Sequence, residues 1–195
     1  MLTEQALVAE ILKGNVKAFE LLVKQYEKLV LHMVCKMITR DEDVHDVCQE
    51  VFIKIYNRLH TFGFQSKLST WIARIAYFTA INYLRKYHRE QLRITTNDDL
   101  VAIENYHFTE DTPEKLLITK DVSAYIQHLV QQLPLTYRSV LTLFYLEEFS
   151  YQEIQGITGM PEGTVKNYIF RAKKLLRGKL EQYLQKENNY EGGKR

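Results

Sequence analysis

Apolar residues recur every three or four positions through most of the first ninety residues. Phe19, Leu22, Tyr26, Leu29, Val30, Met33 and Met37 mark one stripe, the period of a half-buried α-helix. A second stripe, Val44, Cys48, Val51 and Ile55, follows the acids Asp41, Glu42 and Asp43. Carboxylates in a first turn complement the positive end of a helix dipole. "HTFGFQSKLS" breaks the pattern with Gly63 and small polar residues and reads as a loop. Ser69 can then cap a third helix, "TWIARIAYFTAINYLRKYHR".

From Gln91 the periodicity fades. "ITTNDDLVAIENYHFTEDTPEK" is polar and acidic, contains Pro113, and reads as a flexible linker over 91–121. Such a linker predicts two domains that move independently in the free protein. Periodicity returns at Val122, with one helix to Leu133 and another after Pro134. Ser150 opens the next and has capping-box spacing to Glu153; Gly159 ends it. A last helix starts near Pro161 or Gly163 and runs to about Lys186, leaving 188–195 as a disordered tail. The expected fold is all-α: two small helical domains, over 1–90 and 122–187, joined by a flexible linker.

With eight Gly and three Pro in 195 residues, the composition also favours long helices over turn-rich β architecture. No apolar run approaches the roughly 20 residues of a membrane span, and the N-terminus lacks a cleavable signal pattern. A cytoplasmic protein with no membrane contact of its own is expected. Cys35 and Cys48 make no disulfide framework. His32 with Cys35 and His45 with Cys48 have a spacing zinc can use, but Cys48 falls on the apolar stripe while His45 does not. Neither metal nor cofactor is expected. The chain has no P-loop, dinucleotide-binding glycine motif or nucleophile elbow, so an enzyme reading has no chemistry to stand on.

Charge changes the picture more. The formal net charge is only +2, yet it is blocked. Asp41 to Glu50 holds five acids and no Lys or Arg; Tyr83 to Arg93 holds four basic residues against one Glu; Thr96 to Asp121 holds seven acids against two Lys. Thr164 to Lys179 then carries six basic residues and no acid. Two basic modules separated by an acidic segment suggest two contacts with a polyanion.

"SYQEIQGITGMPEGTVKNYIFRAKKLL" has the layout of a helix-turn-helix. Ile154 and Ile157 pack the first helix, Gly159 makes the turn, and Val165, Ile169, Ala172 and Leu176 form the buried stripe of the second. Thr164, Lys166, Asn167, Phe170, Arg171 and Lys174 are then its candidate DNA contacts. Arg reads guanine, Asn reads adenine, an aromatic can touch a thymine methyl, and cations meet phosphates. The helix around Trp71 differs. Arg74, Arg85 and Lys86 alternate with Tyr77, Phe78 and Tyr83, and interleaved rings and cations suit single-stranded or splayed nucleic acid. Trp71 reads as a core anchor; of Tyr77, Phe78 and Tyr83, at least one should be exposed.

"DEDVHDVCQEVFIKIY" with "FGFQSKLSTWIARIAYFTAINYLRK" resembles region 2 of the extracytoplasmic-function sigma factors of bacterial RNA polymerase. "LPLTYRSVLTLFYLEEFSYQEIQGITGMPEGTVKNYIFRAKKLLR" resembles their region 4. The resemblance implies a factor that binds core RNA polymerase through Asp43, Asp46, Gln49, Glu50 and Phe52. It implies that the first domain binds and helps open the downstream (−10) promoter element, and that the second reads the upstream (−35) element. The loop Phe62 to Leu68 would capture a flipped base, beside Asn82. The downstream set is then Phe62, Phe64, Ser66, Lys67, Leu68, Arg74, Tyr77, Phe78, Asn82, Arg85 and Lys86. Phe78 stands where that family often has Asn, so the preferred downstream bases do not carry over. An anti-sigma factor is a further implied partner. The competing readings are a free-standing helix-turn-helix regulator, acting as duplex binder without polymerase, and an RNA-binding protein.

Overall fold

The computed structural model describes residues 3–38, 40–87 and 122–192, with side chains left out for 87 and 186–192. Among the described residues the elements are α1 (Glu4–Leu12), α2 (Val16–Met37), α3 (Asp41–Arg58), a 3-10 turn (Leu59–Thr61), α4 (Leu68–Tyr87), α5 (Val122–Gln132), α6 (Leu135–Leu141), a π-helical turn (Thr142–Leu146), α7 (Tyr151–Thr158) and α8 (Glu162–Gly192), with no strand. None of these helices is long and apolar enough to cross a membrane. The segment read as a linker lies outside the described residues.

Local chemistry sets the helix starts. The Thr3 hydroxyl accepts a hydrogen bond from the Ala6 amide, and the Asn15 side chain accepts one from Ala18, each satisfying an orphan donor of a first turn. Between α1 and α2 the chain reverses through Gly14, whose φ of 87° suits glycine. α3 starts without a side-chain cap but carries Asp41, Glu42 and Asp43 in its first turn. α4 begins at Leu68, one residue before the expected Ser69 cap, and its first amide donates to Glu4 of α1.

α4 is the hub. Leu68, Ile72, Ala73, Ala76, Ala80 and Leu84 are buried, and so are Thr70, Tyr77, Thr79 and Ile81. A helix apolar on most sides must be enclosed on most sides: α2, α3 and α7 all pack on it. That enclosure corrects the expectation of an exposed aromatic. Tyr77 is buried, and Phe78 and Tyr83 are half-buried against the core. Trp71 packs beside Phe62, ring centroids 5.4 Å apart, as a core anchor should.

In the second domain all seven residues of α6 are buried. Tyr137 of α6 stacks on Tyr168 of α8 at 4.4 Å, and Tyr125 of α5 on Tyr183 at 4.1 Å. α8 continues to Gly192, through positions read as the start of a disordered tail. Gly178 does not break it, because Lys, Leu, Glu and Gln around it are good helix formers.

Described residues of the two halves pack on each other. α7 packs on α4, and α6 and the π turn pack on α2. His32 Nδ1 of α2 lies 2.7 Å from Glu147 Oε1, Lys67 Nζ lies 2.9 Å from Glu153 Oε1, and Arg74 donates to the Gly156 carbonyl. The apolar surface of α4 that its own bundle leaves open is thereby covered.

Candidate nucleic-acid and polymerase interfaces

The turn between α7 and α8 is built from a few residues. The Ser150 hydroxyl accepts from the Glu153 amide at 3.3 Å, and the Glu153 carboxylate accepts from the Ser150 amide at 2.9 Å, a complete capping box. Burial alone would raise the Glu153 pKa, but the Ser150 amide and the Lys67 ammonium outweigh it and hold the carboxyl below its usual range. At the other end Gly159 turns with φ 80°, a left-handed residue that a side chain would strain. Replacing Ser150 with alanine is expected to cost about 0.5–2 kcal/mol of stability in urea denaturation. The cap supported by a lowered carboxyl pKa is present above the ordinary glutamate value and is lost as pH falls through the lowered one. The penalty should therefore shrink in acid.

α8 follows with Val165, Tyr168, Ile169 and Ala172 buried and Leu176 partly so. Away from that stripe Phe170 is 67% exposed, Lys166 and Lys174 are exposed, and Thr164, Asn167 and Arg171 are half-buried. All six residues read as upstream contacts thus lie on α8 off its buried stripe, three exposed and three half-buried. Two of them are held in place. Arg171 Nε donates to Asn167 Oδ1 at 3.0 Å. Lys166 pairs with Glu162 at 2.6 Å, which holds its ammonium above the usual range, and lies over the Tyr151 ring.

The other basic module is a stripe on α4. Arg74, Phe78, Asn82 and Lys86 follow one another at intervals of four, with Arg85 beside them, the spacing of one helix face. Arg74, Asn82, Arg85 and Lys86 are exposed, and the Arg74 guanidinium stacks over the half-buried Phe78 ring at 5.0 Å. Ahead of this stripe lies the loop. Ser66 and Lys67 are exposed there. Phe64 is 46% exposed and has φ 56°, a left-handed conformation that is rare for a bulky residue and marks stored strain. Three residues of the downstream set are not on this surface. Phe62, Leu68 and Tyr77 are 5%, 0% and 6% exposed: the Phe62 ring folds back beside Trp71 of α4, and Leu68 and Tyr77 belong to the buried core. Burial pushes the Tyr77 hydroxyl up to about 12.

On α3, Asp46, Gln49 and Glu50 are exposed on one side. Glu50 is bridged by Lys54 at 2.6 Å. Asp43 is half-buried, with Arg40 Nε 3.5 Å from its carboxylate. Phe52 is half-buried against the core, so it supports this face more than it presents it. The cysteines offer no reactive thiolate: burial raises Cys48 to about 11 and raises Cys35 as well. No cluster of three or more metal-ligating side chains occurs among the described residues.

Sequence reasoning missed the inter-domain contacts. His32 drew notice only as a metal candidate, and Glu147 and Gly156 gave no signal, since their partners lie 115 and 82 residues away. It also missed Tyr145 and Leu146, half-exposed on the π turn, with Lys173 over the Tyr145 ring.

Residues 22–90 match the family model for Sigma-70 region 2, and residues 123–176 match Sigma-70, region 4. The chain is 37% identical over 187 residues to the ECF RNA polymerase sigma-E factor of Haemophilus influenzae, covering 92% of this chain and 96% of that protein. It is equally 37% identical to the sigma-E factor of Escherichia coli K12, covering 92% and 95%. Among solved structures its fold resembles CnrH in complex with the cytosolic domain of CnrY, with TM-score 0.62, 21% identity and coverage of 90% and 96%. It likewise resembles the sigma factor RpoE in complex with the anti-sigma factor NepR from Bartonella quintana, with TM-score 0.61, 18% identity and coverage of 87% and 98%.

Proposed function

The chain belongs to the extracytoplasmic-function family of RNA polymerase sigma factors, and from that premise we propose how its surfaces divide the work. It is a transcription initiation factor that directs core RNA polymerase to promoters. The first domain carries the polymerase-docking face on α3, with Asp46, Gln49 and Glu50 at its centre. The α4 stripe and the loop ahead of it hold the downstream element, and α8 reads the upstream element through Asn167, Phe170 and Arg171.

One observation supports this division best: a single chain carries two cationic faces of different chemistry. The α4 face alternates a ring with cations and sits beside a strained aromatic loop, which suits bases pulled out of the duplex. The α8 face projects from a capped helix-turn-helix, which suits an intact major groove. Base stacking is worth about 1–3 kcal/mol per base. Captured bases together with polymerase contacts can then offset strand separation without ATP, and the chain needs no catalytic group of its own.

Action in the cytoplasm, where polymerase and promoters meet, follows from this reading. An anti-sigma factor is a further proposed partner, supported by the structure of similar fold in which the sigma factor RpoE is in complex with the anti-sigma factor NepR.

Promoter opening tests the α4 assignment. With core polymerase and a cognate promoter, permanganate reactivity of unpaired thymines should fall in Asn82→Ala and in the double variant Lys67→Ala, Arg74→Ala, while polymerase binding holds. Normal reactivity in both would remove the downstream element from α4.

A further inference from the structure

We propose that Arg74 and Phe78 form one stacking platform that grips an unpaired downstream base by its face. The chain is then indifferent to base identity at one position of the downstream element and takes its selectivity beside it from Asn82. The proposal rests on the assignment of α4 and its preceding loop to the downstream element, and adds which pair stacks and what that does to specificity.

Phe78 lies at the centre of the α4 stripe, one turn after Arg74 and one turn before Asn82. Unpaired bases are told apart by hydrogen bonds to their edges, and a phenylalanine side chain has neither donor nor acceptor. What it offers is a ring, and the ring is held. Phe78 packs against the buried core and meets Tyr77 at 5.3 Å with an interplanar angle of 81°. Tyr77 is itself 6% exposed, so the support behind Phe78 is fixed. Toward solvent the exposed Arg74 lies over the ring, its guanidinium carbon 5.0 Å from the ring centroid.

A guanidinium over a ring adds a second flat, cationic surface to the first, and bases stack on both kinds. Every base has a face, so the affinity gained this way does not depend on which base arrives. Stacking also leaves the N–H groups of Arg74 available at the rim. One of them already donates to a carbonyl oxygen, that of Gly156, and a phosphate oxygen is an acceptor of the same kind. Asn82 is exposed on the next turn and carries both a donor and an acceptor on its amide. The stripe thus divides its work: Arg74 and Phe78 supply affinity, and Asn82 supplies selectivity.

The test is initiation by the full chain with core polymerase on a promoter library that carries all four bases at each downstream position, read by sequencing a barcode in each transcript. One position should accept the four bases within about threefold, and Asn82→Ala should flatten the preference at a neighbouring one. Arg74→Lys keeps the charge and loses the plane. Phe78→Leu keeps an apolar side chain against the core and loses the ring. Each should lower initiation roughly five- to hundredfold, the range of one base stack, by the same factor for all four bases at the tolerant position. Phe78→Tyr retains the ring and should initiate like the wild type, which separates stacking from a loss of packing.

Wild-type initiation by Arg74→Lys overturns the proposal, because charge alone would then suffice. So does Phe78→Tyr initiating as poorly as Phe78→Leu, or a preference of more than about tenfold at every downstream position. Any of these together with a flattened preference in Asn82→Ala removes the platform and leaves α4 on the downstream element. If Asn82→Ala keeps wild-type initiation and base preferences, and the Lys67→Ala, Arg74→Ala double variant opens promoters normally, the α4 assignment is wrong and the proposal falls with it.

Discussion

Reversing Asp46 and Glu50 together to lysine is expected to weaken binding to core RNA polymerase about 100-fold or more. Both residues are exposed on α3, while the buried face of that helix is Val44, Val47, Val51 and Ile55. The change therefore leaves the core alone, and lysine keeps a helix propensity close to that of glutamate. What changes is the sign of the docking face. Like charges brought together across an interface cost several kcal/mol, and each 1.4 kcal/mol is a factor of about ten in affinity. The two positions should not contribute equally. Glu50 is already bridged by Lys54 at 2.6 Å, so part of its charge is neutralised before polymerase arrives. Asp46→Lys alone should show the larger single effect. Titration of labelled protein with core polymerase measures the loss, and circular dichroism checks that helicity is unchanged. Wild-type affinity in the double variant would move the docking surface elsewhere.

Arg171→Ala is expected to cost about 1–3 kcal/mol at the upstream element and to relax selectivity at one base position. The side chain is oriented by its bond to Asn167 at 3.0 Å, so part of its ordering cost is met before DNA binds. Removing it also frees Asn167 to swing, and a base next to the lost contact should lose discrimination too. Lys174→Ala differs. Lys174 is an exposed cation further along α8, and a phosphate contact there weakens all sequences alike. Binding to a panel of single-base variants of the upstream element separates the two patterns. Unchanged selectivity in Arg171→Ala, with polymerase binding intact, would reduce the basic face of α8 to general DNA attraction.

The features legible in the sequence were those governed by neighbours three or four residues apart. Ser150 with Glu153 fixed the start of α7, Gly159 fixed its end, and the spacing of Val165, Ile169 and Ala172 fixed which side of α8 would be buried. The residues proposed as upstream contacts followed, because they lie off that buried stripe, exposed or half-buried. α4 was harder. It is enclosed by helices from both halves, so its aromatics gave no single stripe, and Tyr77 read as a DNA contact although it is buried. Phe62 and Leu68 misled for a related reason. In a loop, apolar residues carry no periodicity to tell a ring that folds inward from one, like Phe64, that points out. Closure of the two halves left no local trace at all. His32 and Glu147 acquire their meaning only from each other, across 115 residues.

The central claim, that the chain confers promoter selectivity on polymerase, is tested most directly by run-off transcription on fragments of its own genome. Core polymerase alone and core polymerase with added protein are compared on the same templates. The account predicts discrete transcripts that depend on the protein, starting downstream of a shared pair of sequence elements at fixed spacing, and lost with Asp46→Lys, Glu50→Lys. The same transcripts with and without the protein, or tight binding to a palindromic duplex in the absence of polymerase, would contradict it.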